Sequence, residues 1–145
     1  MRVSDAMTRE VRLANPDQSI RDAAKMMAEI DAGAMPVGEG DRLVGMITDR
    51  DIAVRAVAQG KGPDTPVREV MSIEQVLYCY EDEELDHVAK NMGEIQVRRL
   101  PVLDRSKRLV GIVSLADIAQ SAGVRPAGNA VKGLSKPGGA HTQKG

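Results

Sequence analysis

Two short polar patterns in this sequence have residue types and spacing suited to holding a ligand. Each is a hydroxyl side chain followed three residues later by an aspartate: Thr48 with Asp51, and Ser114 with Asp117. Each pattern follows an apolar run typical of a short strand and opens a segment with helical spacing. A hydroxyl and unpaired backbone N–H groups at a helix N-terminus favour a phosphate, and a carboxylate one turn further on accepts hydrogen bonds from two ribose hydroxyls. The spacing therefore predicts two candidate nucleotide sites.

The same spacing also fits a purely structural role. Thr48 and Ser114 would cap their helices, and Asp51 and Asp117 would supply favourable negative charge to the first turn. The residues alone leave both interpretations open.

Catalytic and metal-binding patterns are weaker. Cys79 is the only cysteine, and His87 and the acidic residues 81–86 follow it closely in sequence. A nucleophile on a strand and a base on the next helix lack a matching third group, so the set does not resemble a catalytic triad. Two histidines and one cysteine supply no metal-ligand set. We predict no catalytic residues, no metal site and no enzyme activity.

The composition indicates a small chain with a core free of large aromatic rings. Its 145 residues include two tyrosines and no Phe or Trp, so aliphatic side chains and Met must fill the core. A stacking platform for nucleic-acid bases is not expected. No run approaches the ~18 apolar residues of a membrane span, and residues 1–5 lack the apolar core of a secretory signal. We expect a cytoplasmic protein with no membrane partner and no specific nucleic-acid partner.

The net charge of −1 is unevenly distributed along the chain. Residues 122–145 carry four basic side chains, no acidic ones and many glycines. They show neither helical nor strand periodicity, which predicts a flexible basic tail.

An internal repeat organises the rest of the chain. Three blocks recur in the same order, with 3–8 returning as 67–72, 35–37 as 100–102, and 42–53 as 108–119. Between the first two blocks, both copies carry apolar residues at i, i+3, i+4 and i+7, starting at Ile20 and at Leu85. A repeat of this length means two related structural units rather than one irregular domain.

Each copy predicts a strand, a helix, two antiparallel strands and a second helix. The first strands are predicted at residues 11–13 and 76–78, the hairpin strands of the first copy at 34–37 and 43–47, and its last helix at 49–59. A β-α-β-β-α unit of about 60 residues buries too little apolar surface to be stably folded by itself.

Two such units predict an α/β fold of the α+β type, in which the repeats pack sheet to sheet with pseudo-twofold symmetry. We place the units at residues 1–63 and 64–121, followed by the tail at 122–145. Two clefts between the units are the expected ligand sites. Apolar helix faces left exposed favour a homodimer.

The ordered motifs resemble those of the CBS domain, named after cystathionine β-synthase. Both copies run Val-x-x-x-Met-[Thr/Ser], amphipathic helix, [Met/Leu]-Pro-Val, then Leu-Val-Gly followed by [Thr/Ser]-x-x-Asp-Ile. The resemblance covers residues 1–121. In those residues the chain resembles a stand-alone CBS pair. It implies a regulatory module that binds AMP, ADP, ATP or a related adenosyl compound, forms a dimer and signals to an effector protein in another chain. No catalytic cofactor is implied. The alternative is a structural or interaction dimer with unoccupied clefts.

The resemblance also implies which residues line the sites. Thr48, Asp51, Ser114 and Asp117 would contact phosphate and ribose. Further candidates for ligand contacts in the two copies are Val11, Leu13, Ala34, Ile47, Arg98, Arg99 and Val113.

The two predicted sites differ in the segment before the Pro-Val block. Gly33 and Ala34 leave room for a base in the first copy, which makes that site the better candidate. Arg98 and Arg99 hold the matching place in the second copy. Their guanidinium groups suit a phosphate, and they suit surface ion pairs with neighbouring acids such as Glu94 or Asp104 equally well.

Overall fold

The structure is a computed structural model that describes residues 1–73 and 76–122, together with residues 128, 131, 133 and 134. The chain divides into two compact units. The repeat-one unit is Arg12–Val76, and the repeat-two unit combines Met1–Val11 with Leu77–Gly145. The flexible tail predicted at 122–145 lies almost wholly outside the described residues.

The helices and strands follow an order that repeats along the chain. In chain order the α-helices and β-strands are α1 (Val3–Ala6), α2 (Ile20–Ile30), β1 (Ala34–Glu39), β2 (Arg42–Thr48), α3 (Asp49–Asp51), β3 (Cys79–Tyr80), α4 (Leu85–Ile95), β4 (Arg99–Leu103), β5 (Leu109–Ser114) and α5 (Leu115–Ala122), and a short 3-10 helix lies at Val67–Glu69. Strands β1 and β2 form one sheet, and β3, β4 and β5 form another. The mixed α/β fold class predicted from the sequence is confirmed.

Helix α2 forms where the apolar spacing predicts it. Its N-cap Ser19 accepts a hydrogen bond from the backbone N–H of Asp22 at 3.1 Å, which satisfies one of the free donors of the first turn. Ile20, Ala23 and Met27 are its buried face. Helix α4 buries the matching face of the second repeat, so each unit gains a helix packed on its own sheet.

Each unit has its own apolar core. In the repeat-one unit the buried residues include Ala14, Ile20, Ala23, Met27, Met35, Val37, Ile47, Ala56, Val67 and Val70. In the repeat-two unit they include Val3, Met7, Cys79, Leu85, Val88, Ala89, Met92, Leu100, Val102, Val113 and Ile118. Aliphatic side chains and methionines fill both cores, as the lack of Phe and Trp requires.

The predicted hairpins are confirmed in both repeats. Strands β1 and β2 pair antiparallel with Ala34 opposite Thr48, and β4 and β5 pair antiparallel with Arg99 opposite Ser114. Because the hydroxyl residue ends the second strand of each hairpin, it lies at the open end, next to the start of the following helix.

The first strand of each repeat begins later than predicted. In place of a strand at 11–13, Ala14 makes a single parallel bridge to Val37. In place of a strand at 76–78, β3 lies at Cys79–Tyr80 and pairs parallel with β4. The residues that pair are the buried Ala14 and Cys79, so burial against the hairpin, rather than the preceding β-prone run, sets the position.

The helix predicted at 49–59 is present but is not one regular α-helix. After α3 the chain winds as a π-helix over Ile52–Ala56 and as a 3-10 helix over Val57–Gln59. The matched segment of the second repeat, α5, is regular over its eight residues. The two helices that follow the hydroxyl residues therefore differ in their winding.

The leading block of each repeat packs in the unit of the other repeat. Thr8 and Ile112 exchange backbone hydrogen bonds of 2.8 and 2.9 Å in the repeat-two unit. Ser72 and Met46 do the same, at 2.8 and 3.0 Å, in the repeat-one unit. The compact units and the sequence repeats are therefore different divisions of the chain, and the boundary placed at residues 63 and 64 describes the repeats.

Candidate functional site

Thr48 and Asp51 form a reciprocal pair at the start of α3. The Thr48 hydroxyl oxygen accepts from the backbone N–H of Asp51 at 3.0 Å, and Asp51 Oδ2 accepts from the backbone N–H of Thr48 at 3.0 Å. This is a capping box, so the structural role considered for these residues is present. It also holds the Asp51 carboxylate in one orientation, with 14% of the side chain exposed.

Ser114 and Asp117 repeat this arrangement at the start of α5. Ser114 Oγ accepts from the backbone N–H of Asp117 at 3.1 Å, and Asp117 Oδ2 accepts from the backbone N–H of Ser114 at 3.0 Å. The two hydroxyl-aspartate pairs therefore have the same local geometry in separate units.

The backbone N–H groups at the first site are already bonded. Besides the two capping bonds, the N–H of Asp49 donates to the carbonyl of Gly33 at 2.9 Å, and the N–H of Arg50 donates to Asp49 Oδ1 at 2.8 Å. The sequence predicted unpaired N–H donors for a phosphate here. The structure differs because these N–H groups donate to side-chain oxygens and to the Gly33 carbonyl. An anion at this site needs a side-chain partner.

The second carboxylate oxygen of each aspartate faces a different group in the two units. Asp51 Oδ1 lies 3.9 Å from Nε of Arg55. Asp117 Oδ1 lies 3.5 Å from the hydroxyl oxygen of Thr8. Both are long contacts, so each oxygen retains the capacity to accept a stronger hydrogen bond.

The residues predicted to line the base are only partly brought together. Ala34 pairs with Thr48 across the hairpin, and Leu13 lies half-buried in the same unit, near Gly38. Ile47 is fully buried in the core, so its side chain contributes to the packing of the sheet. Val11 belongs to the repeat-two unit.

In the repeat-two unit, Val113 is fully buried in the core, as Ile47 is in the other. Arg98 and Arg99 are exposed. The Arg98 carbonyl accepts from the backbone N–H of Leu115 at 3.1 Å, which matches the Gly33 contact in the first repeat. Within residues 76–122 neither arginine forms an ion pair with Glu94 or Asp104.

A shallow pocket of about 370 Å³ lies in the repeat-one unit next to this site. The residues that line it are Ala24, Met27, Ala28, Asp31, Ala32, Gly33, Asp49 and Ile52. Thr48 and Asp51 are not part of that lining. The pocket and the hydroxyl-aspartate pair are neighbouring features, because Asp49, which lines the pocket, lies between Thr48 and Asp51 in the sequence.

Sequence reasoning missed Arg55 as a neighbour of the site. The signal was present, because Arg55 follows Asp51 by four residues and such pairs face each other on a helix. It also missed Thr8, whose contact with Asp117 spans 109 residues and has no local signature.

Cys79 is buried and free. Burial, with a smaller contribution from the charge of Glu83, raises the pKa of the Cys79 thiol to about 12, so the thiolate needed of a nucleophile is scarce near neutral pH. Within the described ranges, no group of three or more His, Cys, Asp or Glu side chains is placed to hold a metal ion. In the same part of the chain, no helix has the length and apolar character to cross a membrane.

Both halves of the chain match one known protein family. Residues 3–57 and 67–122 each match the family described as CBS domain. The chain belongs to the CBS domain family. The CBS domain-containing protein YhcV of Bacillus subtilis is 46% identical over 117 residues, which span 81% of this chain and 82% of YhcV. Hypoxic response protein 1 of Mycobacterium tuberculosis is 38% identical over 117 residues, spanning 80% and 81% of the two chains.

Solved CBS pairs share the fold. Hypoxic Response Protein I, crystallised with two coordinated zinc ions, has a TM-score of 0.73 and 37% identity, over 83% of this chain and 98% of that one. The CBS domain pair of protein MJ0100, in complex with 5′-methylthioadenosine and S-adenosyl-L-methionine, has a TM-score of 0.69 and 34% identity, over 85% and 96%. The tandem CBS pair implied by the resemblance of the motifs is confirmed.

Proposed function

We propose that this CBS pair is a regulatory module that binds an adenosine-containing ligand at its hydroxyl-aspartate pairs and signals to an effector protein. The observation that carries the proposal is the oriented carboxylate of Asp51. One oxygen is fixed by the backbone N–H of Thr48 at 3.0 Å, while the other has only a loose contact with Arg55 at 3.9 Å. A fixed acceptor with a free oxygen suits the paired hydroxyls of a ribose.

A relative supports the chemical class of the ligand. The CBS pair of protein MJ0100, 34% identical to this chain, was solved with two adenosine derivatives. AMP, ADP, ATP and adenosyl compounds share the ribose that the aspartate would recognise. The ligand would act by favouring one conformation of the pair, and it can shift that equilibrium only by its difference in affinity for the two forms.

The first site is the stronger candidate. Gly33 is exposed and Ala34 half-buried beside Thr48, so small side chains border the place of the base. In the second site the exposed Arg98 and Arg99 hold the matching positions and would supply charge to a phosphate.

A homodimer and a cytoplasmic location belong to the same proposal. Val54 and Val57, on the irregular helix after α3, are 45% and 68% exposed. Exposed apolar side chains grouped on one helix support a contact with a second copy. Sedimentation equilibrium of the wild type and of a Val54→Ser, Val57→Ser variant tests this part separately from ligand binding.

The test of ligand binding is a thermal-shift series with AMP, ADP, ATP, S-adenosylmethionine, 5′-methylthioadenosine, NAD and NADH, followed by calorimetry on any ligand that raises Tm. A ligand at 100 times its Kd stabilises the folded state by about 2.7 kcal/mol. We expect Asp51→Asn to remove most of the shift and the double variant with Asp117→Asn to remove all of it. Asn keeps the size of the side chain and an oxygen for the capping bond.

Asp22→Asn is the matched control. Asp22 holds the same place in the first turn of α2, with its N–H bonded to Ser19 at 3.1 Å, and no ligand is assigned there. Binding that survives in the double variant would contradict the ribose role. A folded dimer that binds none of these compounds at millimolar concentration favours the alternative, a structural or interaction dimer in which the capping boxes have only a structural role.

A further inference from the structure

Arg55 lies one turn after Asp51, within the π-helical segment Ile52–Ala56. Its Nε is 3.9 Å from Asp51 Oδ1. Its Nη1 donates to the carbonyls of Val70 and Met71 at 3.4 and 3.3 Å. The guanidinium therefore reaches from the candidate ribose carboxylate to the leading block of the second repeat, which packs in this same unit.

No partner holds this guanidinium tightly. The three contacts are all near the outer limit of hydrogen-bond or ion-pair geometry, and 53% of the side chain is exposed. Among the described residues Nη2 has no acceptor. Arg presents its N–H groups as a planar fork that matches two phosphate oxygens, so Arg55 retains donors for an anionic ligand.

The first site needs such a donor more than the sequence suggests. The backbone N–H groups of Thr48, Asp49, Arg50 and Asp51 all have acceptors within the protein. A phosphate bound beside Asp51 cannot rely on them and would also face the carboxylate charge. A cation next to Asp51 offsets that repulsion.

The second repeat has a neutral residue at the position matched to Arg55. Ser121 holds the position matched to Arg55, 66 residues later in the sequence, on the regular helix α5. The free oxygen of Asp117 faces the neutral hydroxyl of Thr8 at 3.5 Å instead. The two repeats therefore differ in charge one turn after the aspartate, while the aspartates themselves are held alike.

We propose that Arg55 is the anion-recognising residue of the first site and makes that site select a phosphorylated adenosine over uncharged adenosine. This rests on the proposed function, since it assumes that Asp51 holds a ribose. It goes further by assigning the charge of the ligand and by making the two sites unequal: selection by this residue is confined to the first.

The test compares AMP with adenosine by calorimetry in an Asp117→Asn background, which isolates the first site. We expect Arg55→Ala to weaken AMP binding at least 10-fold and adenosine binding less than 2-fold. Arg55→Lys, which keeps the charge and loses the fork, should fall between. Arg42→Ala removes the same charge at the far end of β2 and should change neither affinity by more than 2-fold.

An Arg55→Ala variant that binds AMP as well as its parent overturns the proposal. So does an equal loss for AMP and adenosine, because that outcome assigns Arg55 to packing against Val70 and Met71. If the parent binds neither compound, the proposed function fails together with this inference. If the parent binds both compounds and Arg55→Ala changes neither affinity, the proposed function stands and the assigned role of Arg55 is rejected.

A second measurement does not depend on removing Arg55 from its contacts. In an Asp51→Asn background, which isolates the second site, Ser121→Arg places a guanidinium at the matched position of α5. We expect the ratio of adenosine Kd to AMP Kd to rise at least 3-fold relative to the same background with Ser121. A ratio that does not change would contradict the role of this position in selecting anions.

Discussion

Met46 and Ser72 exchange two backbone hydrogen bonds, of 3.0 and 2.8 Å, although they belong to different sequence repeats. The preceding residue on the strand, Gly45, lies so close to this segment that an added Cβ would be 2.9 Å from the Ser72 carbonyl oxygen. The matched pair Thr8 and Ile112 has the same relationship beside Gly111 in the other unit. The glycine of each Leu-Val-Gly block is therefore the point where the other repeat's leading block packs against the hairpin.

Gly111→Ala should destabilise the repeat-two unit. The added Cβ would lie 2.7 Å from the sulfur of Met7 and 2.9 Å from the Thr8 carbonyl oxygen, so the segment must move. We expect a loss of about 1–3 kcal/mol in the free energy of unfolding, typical of overpacking. Tyr78 and Tyr80, the only tyrosines, lie in this unit, so urea unfolding followed by tyrosine fluorescence measures it directly.

Gly62→Ala is the control for this prediction. No atom lies within 4 Å of a Cβ added at Gly62, so we expect no loss of stability there. Equal midpoints for wild type and Gly111→Ala would mean that the close approach at Gly111 is not required.

Thr48→Ala should lower stability even without a ligand. It removes the hydroxyl that accepts from the Asp51 N–H at 3.0 Å, and loss of an N-cap side chain costs about 1 kcal/mol. Thr48→Ser restores the hydroxyl and should restore most of the loss. Urea unfolding followed by circular dichroism reports the difference. If the Ser variant is as unstable as the Ala variant, the capping bond is not the cause.

Cys79 should make the protein less stable at high pH. Burial, then the charge of Glu83, raises the pKa of the Cys79 thiol from 9.0 to about 12. A group with a raised pKa in the folded state contributes stability that is complete below its unfolded pKa and is lost as the pH rises through the folded value. We therefore expect the free energy of unfolding to fall between pH 9 and about 12.

The Cys79→Ala variant isolates this effect, since tyrosines and lysines also titrate in that window. Its unfolding free energy should fall less steeply than that of the wild type over the same pH range. Parallel pH profiles for the two proteins would show that the Cys79 thiol does not contribute.

Arg105→Ala should raise the pKa of Asp82. Arg105 binds both carboxylate oxygens of Asp82 at 2.8 and 2.9 Å, and its guanidinium lies 4.1 Å from the centre of the Tyr80 ring. The hydrogen bond from Arg105 is the main cause that lowers the pKa of Asp82 below its ordinary value. Carboxyl titration by NMR measures the change.

The sign of the accompanying stability effect follows from that direction. A lowered pKa contributes stability that is present above the ordinary value of 3.8 and is lost as the pH falls through the folded value. Arg105→Lys keeps the charge without the two-pronged bond and should give an intermediate pKa. A pKa of Asp82 that is the same in all three proteins would contradict the assignment to Arg105.

Much of the fold was predictable because its signals are local. The apolar spacing from Ile20 and from Leu85 predicted α2 and α4, and the paired apolar runs around Pro36 and Pro101 predicted both hairpins. The hydroxyl-aspartate pairs were also visible, since three-residue spacing at a helix start brings the two side chains together. The strand positions were less exact, because pairing at Ala14 and Cys79 depends on which residues the hairpin buries.

The sequence by itself determined two repeated α/β units, their membership of one family and the matched pairs Thr48/Asp51 and Ser114/Asp117, because each depends on residues near one another in the chain. Tertiary structure decided what surrounds those pairs. In one unit the Gly33 carbonyl accepts a hydrogen bond from the backbone N–H of Asp49. In the other, the Thr8 hydroxyl contacts the Asp117 carboxylate, which is 109 residues away in the sequence. Such contacts depend on how distant segments of the chain pack together, and the spacing of neighbouring residues in the sequence does not predict them.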